Sequence, residues 1–527
     1  MRRVSRTPLL LAATVLVVLA SSPVLAKKGK AAPRPDVWIA APVEDVSTNA
    51  DSLEILVGFA AWVDPMDPMD VGNVHDIDLL LNGQIVDTRK NRPSVKTGTV
   101  SFELSLAGLP PGTHEIQARA CQGSRRARHW GASRVVRIFR GCLWPNGASR
   151  ANSDPWIAAN HDAICGMEPR LLVLNFSNDT SMEKAARLAR ELKDALAESS
   201  RWHGYENPSA PAFLNYQVDK IVDLRDDSPV ETCDGNSTRY PRVPDWTSGI
   251  NFVYSELYTD AFAADYGYPD PSNPSRFLTL GELVNRGMIH ELWFFANHRA
   301  CGAPLETVEL KQYYDENFEP VGHGPAGNGH DFGIPWIGRS LRITFINPDR
   351  GVGCAMENFG HALEHMRHND AIPYYTRYFT EYAGFDLDAR HGLPFDSFYW
   401  YGGTDENEYP HPTTLVSHYR GSTYTVEDYV AIGGNVHFTP NGRRHYDLDN
   451  TDDVMSTIRS WRQGNGPGGD DLAELFTSSD YDAYRTLAPD CMGPWLVYWR
   501  QNMPSLRNLA RDDDGQPMKN WWPFLFY

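Results

Sequence analysis

The sequence predicts a multidomain chain, with an N-terminal all-β immunoglobulin-like sandwich ahead of a larger α/β domain built on a mixed sheet. Three observations predict it. Short runs of β-formers separated by turn residues fill residues 36–140. From residue 168 onward, buried-type strands are interleaved with segments of helical periodicity. And 527 residues are more than one hydrophobic core normally organises.

At the N-terminus, Arg2, Arg3 and Arg6 precede the apolar run 9-LLLAATVLVVLA-20, and 21-SSPVLA-26 ends in small residues. That order is a secretory signal peptide over residues 1–26, so the mature chain is expected to be secreted, periplasmic or extracellular. The basic, proline-rich residues 27–35 read as a linker. The apolar run is shorter than the about 20 residues that span a bilayer, and no later run replaces it. No stable membrane insertion is expected. A net charge of −18 argues against nucleic acid or an anionic membrane surface as partner. The seven cysteines contain no Cys-x-x-Cys pair, which argues against a zinc ribbon. In an exported chain disulfides are expected, with at least one thiol left free by the odd count. Cys142–Cys165 and Cys301–Cys354 are the expected pairs, because each would tie neighbouring segments.

In the sandwich, 54-EILVGFAAWV-63 and 77-IDLLLNGQIV-86 carry β-formers, and Asn82-Gly83 sits where a tight hairpin turn belongs. The run 99-TVSFELSLAGL-109 alternates, 110-PPGTHEIQARA-120 reads as turn then strand, and 134-RVVRIFR-140 closes the set. Residues 141–168 read as a loop. The α/β domain, 168–527, opens with a buried strand at 170–176. A helix follows over 182–200, where Met182, Ala185, Ala189, Leu192 and Leu196 recur at helical spacing. Further strands are predicted at 215–224, 288–297 and 341–348, and helices at 253–265, 278–286 and 355–367.

The chemistry concentrates in 356-MENFGHALEHMRH-368. On a helix, His361, Glu364 and His365 share a face, and His-x-x-Glu-His is the reversed zinc-peptidase pattern. In it, both histidines bind the metal and the glutamate activates water. A third ligand is sought in His437, within the Gly/Asn/Pro-rich loop 433-GGNVHFTPN-441, or in the pair His290-Glu291 of 288-MIHELWFFAN-297. A carboxylate in an apolar strand is costly without a partner, and a metal or general-base role would justify Glu291. His290 would face the opposite way. Glu357 and Glu364, seven apart, also share a helix face, as the paired carboxylates of a glycoside hydrolase would need.

The order of segments resembles a group of exported bacterial proteins of uncharacterised function. The landmarks are 291-ELW-293, 350-RGVGCAMENFGHALEH-365, 434-GNVHFTPNGRRHYD-447 and 520-NWW-522, so the likeness covers about residues 168–527. In that group the position of His365 is more often Ser. The resemblance therefore implies a constellation of His361, Glu364, His437 and Glu291, with Glu364 a ligand and Glu291 the base. The expected function is a secreted zinc-dependent hydrolase, peptidase-like, acting on an extracellular peptide or glycan. The alternative is a secreted carbohydrate- or protein-binding protein without catalysis, whose 15 Trp and 24 Tyr would supply stacking surfaces.

Overall fold

The computed structural model describes the chain from residue 34, apart from 43–45, 49, 63–72, 93–94, 110–111, 125–126, 141–153, 209, 227–234, 243–251, 298–303, 332, 401–404, 465–471 and 507. The expected signal peptide lies outside the described residues. The chain divides into two compact units, one dominated by Asp51–Ala107 and Glu115–Arg137 and the other by Ile138–Tyr527.

The first unit is β-sheet. Strands Asp36–Ala41, Ser52–Ala60 and Thr97–Ser105 form one antiparallel sheet, with the middle strand at its centre. Val74–Leu81 pairs antiparallel with both Gln84–Lys90 and Gly112–Ser124 in a second. Asn82 and Gly83 join the hairpin with φ of 50° and 76°, the left-handed pair of a type I′ turn, which is why Asn-Gly is found there. Ile55, Val57, Phe59, Ile77, Leu79, Phe102 and Ile116 are buried, at alternate positions along their strands.

The second unit is organised by a six-stranded mixed sheet. Its order is Gln217–Asp223, Arg170–Asn175, Glu291–Phe295, Leu341–Ile346, Thr307–Tyr314, Pro320–Pro325. The first four strands are parallel and the last two antiparallel to their neighbours. The central strands are apolar at successive positions because both faces are covered. Leu171, Val173, Trp293 and Phe295 meet the helices Met182–Ser199, Val352–His368, Pro373–Tyr382 and Gly493–Gln501. Leu172, Leu174, Leu292, Phe294 and Ile343 meet the segments 254–266 and 280–285 on the other face.

Several expectations change in detail. The helix expected over 253–265 is a 3₁₀ turn, Tyr254–Tyr258, followed by a short α-helix, Asp260–Tyr266, because Thr259 interrupts the first and caps the second. The strand Thr307–Tyr314 was not predicted, since its Glu309 and Lys311 are buried charges that read as surface. Cys354 bonds Cys491 rather than Cys301. The reason is local: the Asp490 carboxylate accepts the Gly351 and Gly353 N–H groups at 2.7 and 2.8 Å, bringing its neighbour onto the start of the helix that carries Cys354. Cys165 is disulfide-bonded, and Cys142, its expected partner, lies outside the described residues. Cys121 is buried and free. Among the described residues, no helix is long and apolar enough to cross a membrane.

Candidate metal centre

The helix Val352–His368 follows the strand Leu341–Ile346 through the Arg350-Gly-Val-Gly turn. Its positive N-terminal end is capped by Asp490. The Asn358 amide donates to the Phe345 carbonyl at 2.6 Å, fixing its roll on the sheet. Against this helix lies the loop 433–447. The Trp495 and Trp499 indoles donate to the carbonyls of Asn435 and Gly434, and Asn435 Oδ1 accepts the N–H groups of His437 and Phe438. Val436 N–H donates to Glu364 Oε1 at 2.9 Å. Helix and loop come this close because Gly360 has no side chain: a Cβ there would stand 2.6 Å from Val436 Cγ2.

Glu357, His361 and His437, all buried, bring one donor atom each within 4.8 Å of one another. His437 Nε2 lies 2.8 Å from Glu357 Oε1, and His361 Nε2 lies 3.8 Å from the same oxygen. The other nitrogen of His361 is engaged separately, with Nδ1 3.0 Å from Glu364 Oε2 and 3.0 Å from the Tyr399 hydroxyl. Tyr399 also donates to Glu364 Oε2 at 2.9 Å. A carboxylate on Nδ1 fixes the ring and leaves Nε2 facing Glu357, the usual support of a metal-binding imidazole. Glu306 approaches from the start of the strand Thr307–Tyr314, its Oε2 3.8 Å from His361 Nε2 and its side chain 36% exposed. It also lines a cavity of about 220 Å³ with Asn347, Arg350 and Asn358.

The electrostatics suit a cation. Burial opposes the charge on His361, but the carboxylates of Glu357 and Glu364 outweigh it and raise its pKa to about 10. Burial likewise opposes the charge on Glu357, yet His361, His437 and Tyr446 hold its carboxyl well below the usual range. Glu357 Oε2 is buried with no hydrogen-bond partner, an unmet acceptor of the kind that a metal ion satisfies. Two imidazoles and a carboxylate form a hydrolytic zinc-type donor set.

The residues singled out from the sequence fall into two groups. His361, Glu364 and His437 are brought together, but Glu364 stands behind His361, on the Nδ1 side, while Glu357 takes the place beside Nε2 of both histidines. His365 is not among the three clustered donors. It belongs to the next part of the helix face, lining a cavity of about 200 Å³ with Glu364, Arg367, His368 and Tyr399. Burial lowers its pKa to about 4. Glu291 is engaged elsewhere: its carboxylate accepts from Arg342 at 2.9 Å, Tyr216 at 2.9 Å and the Trp293 indole at 3.0 Å. That closed set meets its charge without a metal. His290 Nδ1 accepts the Arg170 N–H, and burial pushes its pKa down to about 3. Glu357 had a readable signal, since Glu357 and His361 are spaced i,i+4 on one helix. Tyr399, Tyr446 and Glu306 arrive from distant segments with no spacing to announce them.

No family model matches the chain, and no curated protein matches it in sequence. Solved structures match over about a fifth of it. The fibronectin(III)-like modules of Clostridium thermocellum CbhA share 21% identity over 21% of this chain and 48% of theirs, with a TM-score of 0.15. The endo-β-1,4-mannanase of Thermotoga petrophila shares 11% over 21% of each chain, with a TM-score of 0.14. A Jonesia denitrificans lytic polysaccharide monooxygenase shares 14% over 19% of this chain and 59% of its own, with a TM-score of 0.13. Each of these three is matched over less than two thirds of its length, and scores this low say nothing about the site.

Proposed function

We propose that the chain is an exported zinc-dependent hydrolase whose centre is held by Glu357, His361 and His437, acting on an extracellular peptide or glycan. The observation that carries this reading is the buried convergence of those three donors, with the second oxygen of the Glu357 carboxylate, Oε2, left without a hydrogen bond. Zinc bound there would polarise a scissile carbonyl or acetal and lower the pKa of water. The chain's own groups divide the remaining work. Glu364 and Tyr399 hold the His361 ring by Nδ1, and the loop carrying His437 is fixed to the same Glu364 through Val436. Glu306, part-exposed and facing the 220 Å³ cavity, is the carboxylate placed to accept and return a proton, the role expected from sequence for Glu291. The leader and the Cys354–Cys491 bridge support export. The antiparallel sheets of the first unit support an immunoglobulin-like module that binds or spaces.

The test is elemental analysis of the secreted chain beside Glu357→Gln, His361→Ala and His437→Ala. Stoichiometric zinc in the parent and none in the variants is expected, together with hydrolysis of a peptide or glycan panel that a chelator abolishes. A folded parent that takes up no zinc overturns the reading.

A further inference from the structure

We infer that Tyr446 is a fourth, oxygen-donor ligand of this centre; the inference rests on the metal reading above. Two independent features point to it. The first is position. The Tyr446 hydroxyl lies 2.5 Å from Glu357 Oε1 and 3.2 Å from His437 Nε2, two of the three donor atoms, which are themselves 2.8 Å apart. Donors sharing one tetrahedral zinc at about 2.1 Å stand about 3.4 Å from one another. The three edges through Tyr446, Glu357 and His437 are somewhat shorter, and the 3.8 Å edge from Glu357 to His361 Nε2 is somewhat longer. Seating an ion on Tyr446, Glu357 and His437 would widen these edges, by about 0.9 Å at most, at the Tyr446–Glu357 contact.

The second feature is the backbone. Tyr446 has φ of 60°, a left-handed conformation that bulky residues rarely adopt and that tends to persist where function requires it. The turn is locked from both sides. Arg443 grips the buried Asp447 through Nε and Nη2 at 2.7 and 3.0 Å, and its own N–H donates to the same carboxylate. Tyr446 N–H donates back to the His437 carbonyl at 3.3 Å. The clamp closes residues 443–447 around a strained tyrosine and aims it at the donors. A tyrosine serving only to steady Glu357 would not need to reach His437 as well.

The charge balance is consistent. Without an ion, the phenol donates its proton to Glu357. An ion held there would send the phenol proton to solvent together with the proton His361 shares with its carboxylate neighbours, and one phenolate and one carboxylate would then balance a divalent cation. The side chain is 44% exposed, which gives the proton a way out and makes Tyr446 the ligand that an incoming substrate oxygen can displace.

Copper(II) loaded into the secreted chain tests this directly. The expected result is a phenolate-to-copper charge-transfer band, with phenolate modes in the resonance Raman spectrum of the unsubstituted protein. Tyr446→Phe should lose both and bind zinc about tenfold more weakly, whereas Tyr399→Phe should keep the band. A parent that binds copper without the band, or a band that survives in Tyr446→Phe, overturns the assignment and leaves the metal reading standing. A parent that binds neither copper nor zinc overturns both.

Discussion

Two of the buried charge clusters among the described residues of the second unit are resolved in opposite ways. On the sheet, Arg342 sits between Glu291 and Glu309 on the flanking strands, directly opposite each in register. It bonds both carboxylates, at 2.9 and 3.0 Å, and donates to the Leu525 carbonyl. Lys311, its pKa lowered by burial to about 8, stands 3.7 Å from Glu309. Two carboxylates thus meet two cations of the chain itself. Between helix and loop, Glu357 meets only imidazoles and a phenol, and one of its oxygens is left without a hydrogen bond. Both clusters carry the cost of burying charge. The first answers its carboxylates with Arg342 and Lys311; the second answers them with imidazoles and, on the proposed reading, would take a cation from outside.

The largest expected effect comes from breaking the self-sufficient cluster. Arg342→Ala strands two buried carboxylates and should cost about 3–5 kcal/mol in urea unfolding. Any protein that still folds should retain its zinc; parallel loss of zinc would merge the two clusters into one. Next is the contact that joins helix to loop. Gly360→Ala adds a methyl where Val436 stands, and despite the better helix propensity of alanine should cost about 1–3 kcal/mol while weakening zinc binding. An unchanged zinc titration would mean that the loop is not held by that contact. Glu364→Gln should lower the unfolding midpoint less than Arg342→Ala, since the amide oxygen still accepts the Val436 N–H, and weaken zinc binding about 10–100-fold. Equal affinity would remove Glu364 from the support of His361.

The smallest effect is a pH dependence from His290, on the opposite face of the chain from Glu291. Its folded pKa is lowered from 6.5 to about 3, chiefly by burial and then by Arg339 and Arg170. The unfolded chain therefore takes up a proton first. The stability His290 contributes is complete above pH 6.5 and is lost as pH falls from there toward 3. Urea midpoints measured between pH 7 and 5 should fall less steeply in His290→Gln than in the parent.

The two clusters also differ in what the sequence reveals. The helix 182–199 and the strands 170–175 and 341–346 follow from periodicity and from apolar runs. The candidate site was legible as a place, through His361 on a helix and His437 in a Gly-rich loop. Its division of labour was not. The His-x-x-Glu-His spacing drew attention to Glu364 and His365, whereas the geometry turns on Glu357 one turn earlier. Which carboxylate faces Nε2 of the histidines depends on how the helix rolls against a loop some 80 residues away, and no local pattern records that. Glu291 was singled out for a sound reason, the cost of a buried carboxylate, but its answer, Arg342, lay on a strand whose contact partners only the sheet order discloses. The helix Gly493–Gln501 is buried at every position and shows no amphipathic stripe.

The pin at the start of the donor helix has a consequence in time. Asp490 and Cys491 hold residues 351–354, yet Asp490 is made 137 positions after Gly353 and Cys491 137 after Cys354. A chain emerging from a membrane exporter would thus present Glu357 and His361 long before it could hold them still. In such a chain the oxidant that closes Cys354 onto Cys491 could act only after that whole stretch was out. If the chain is exported as proposed, maturation of such a centre would fall after synthesis, on the far side of the membrane.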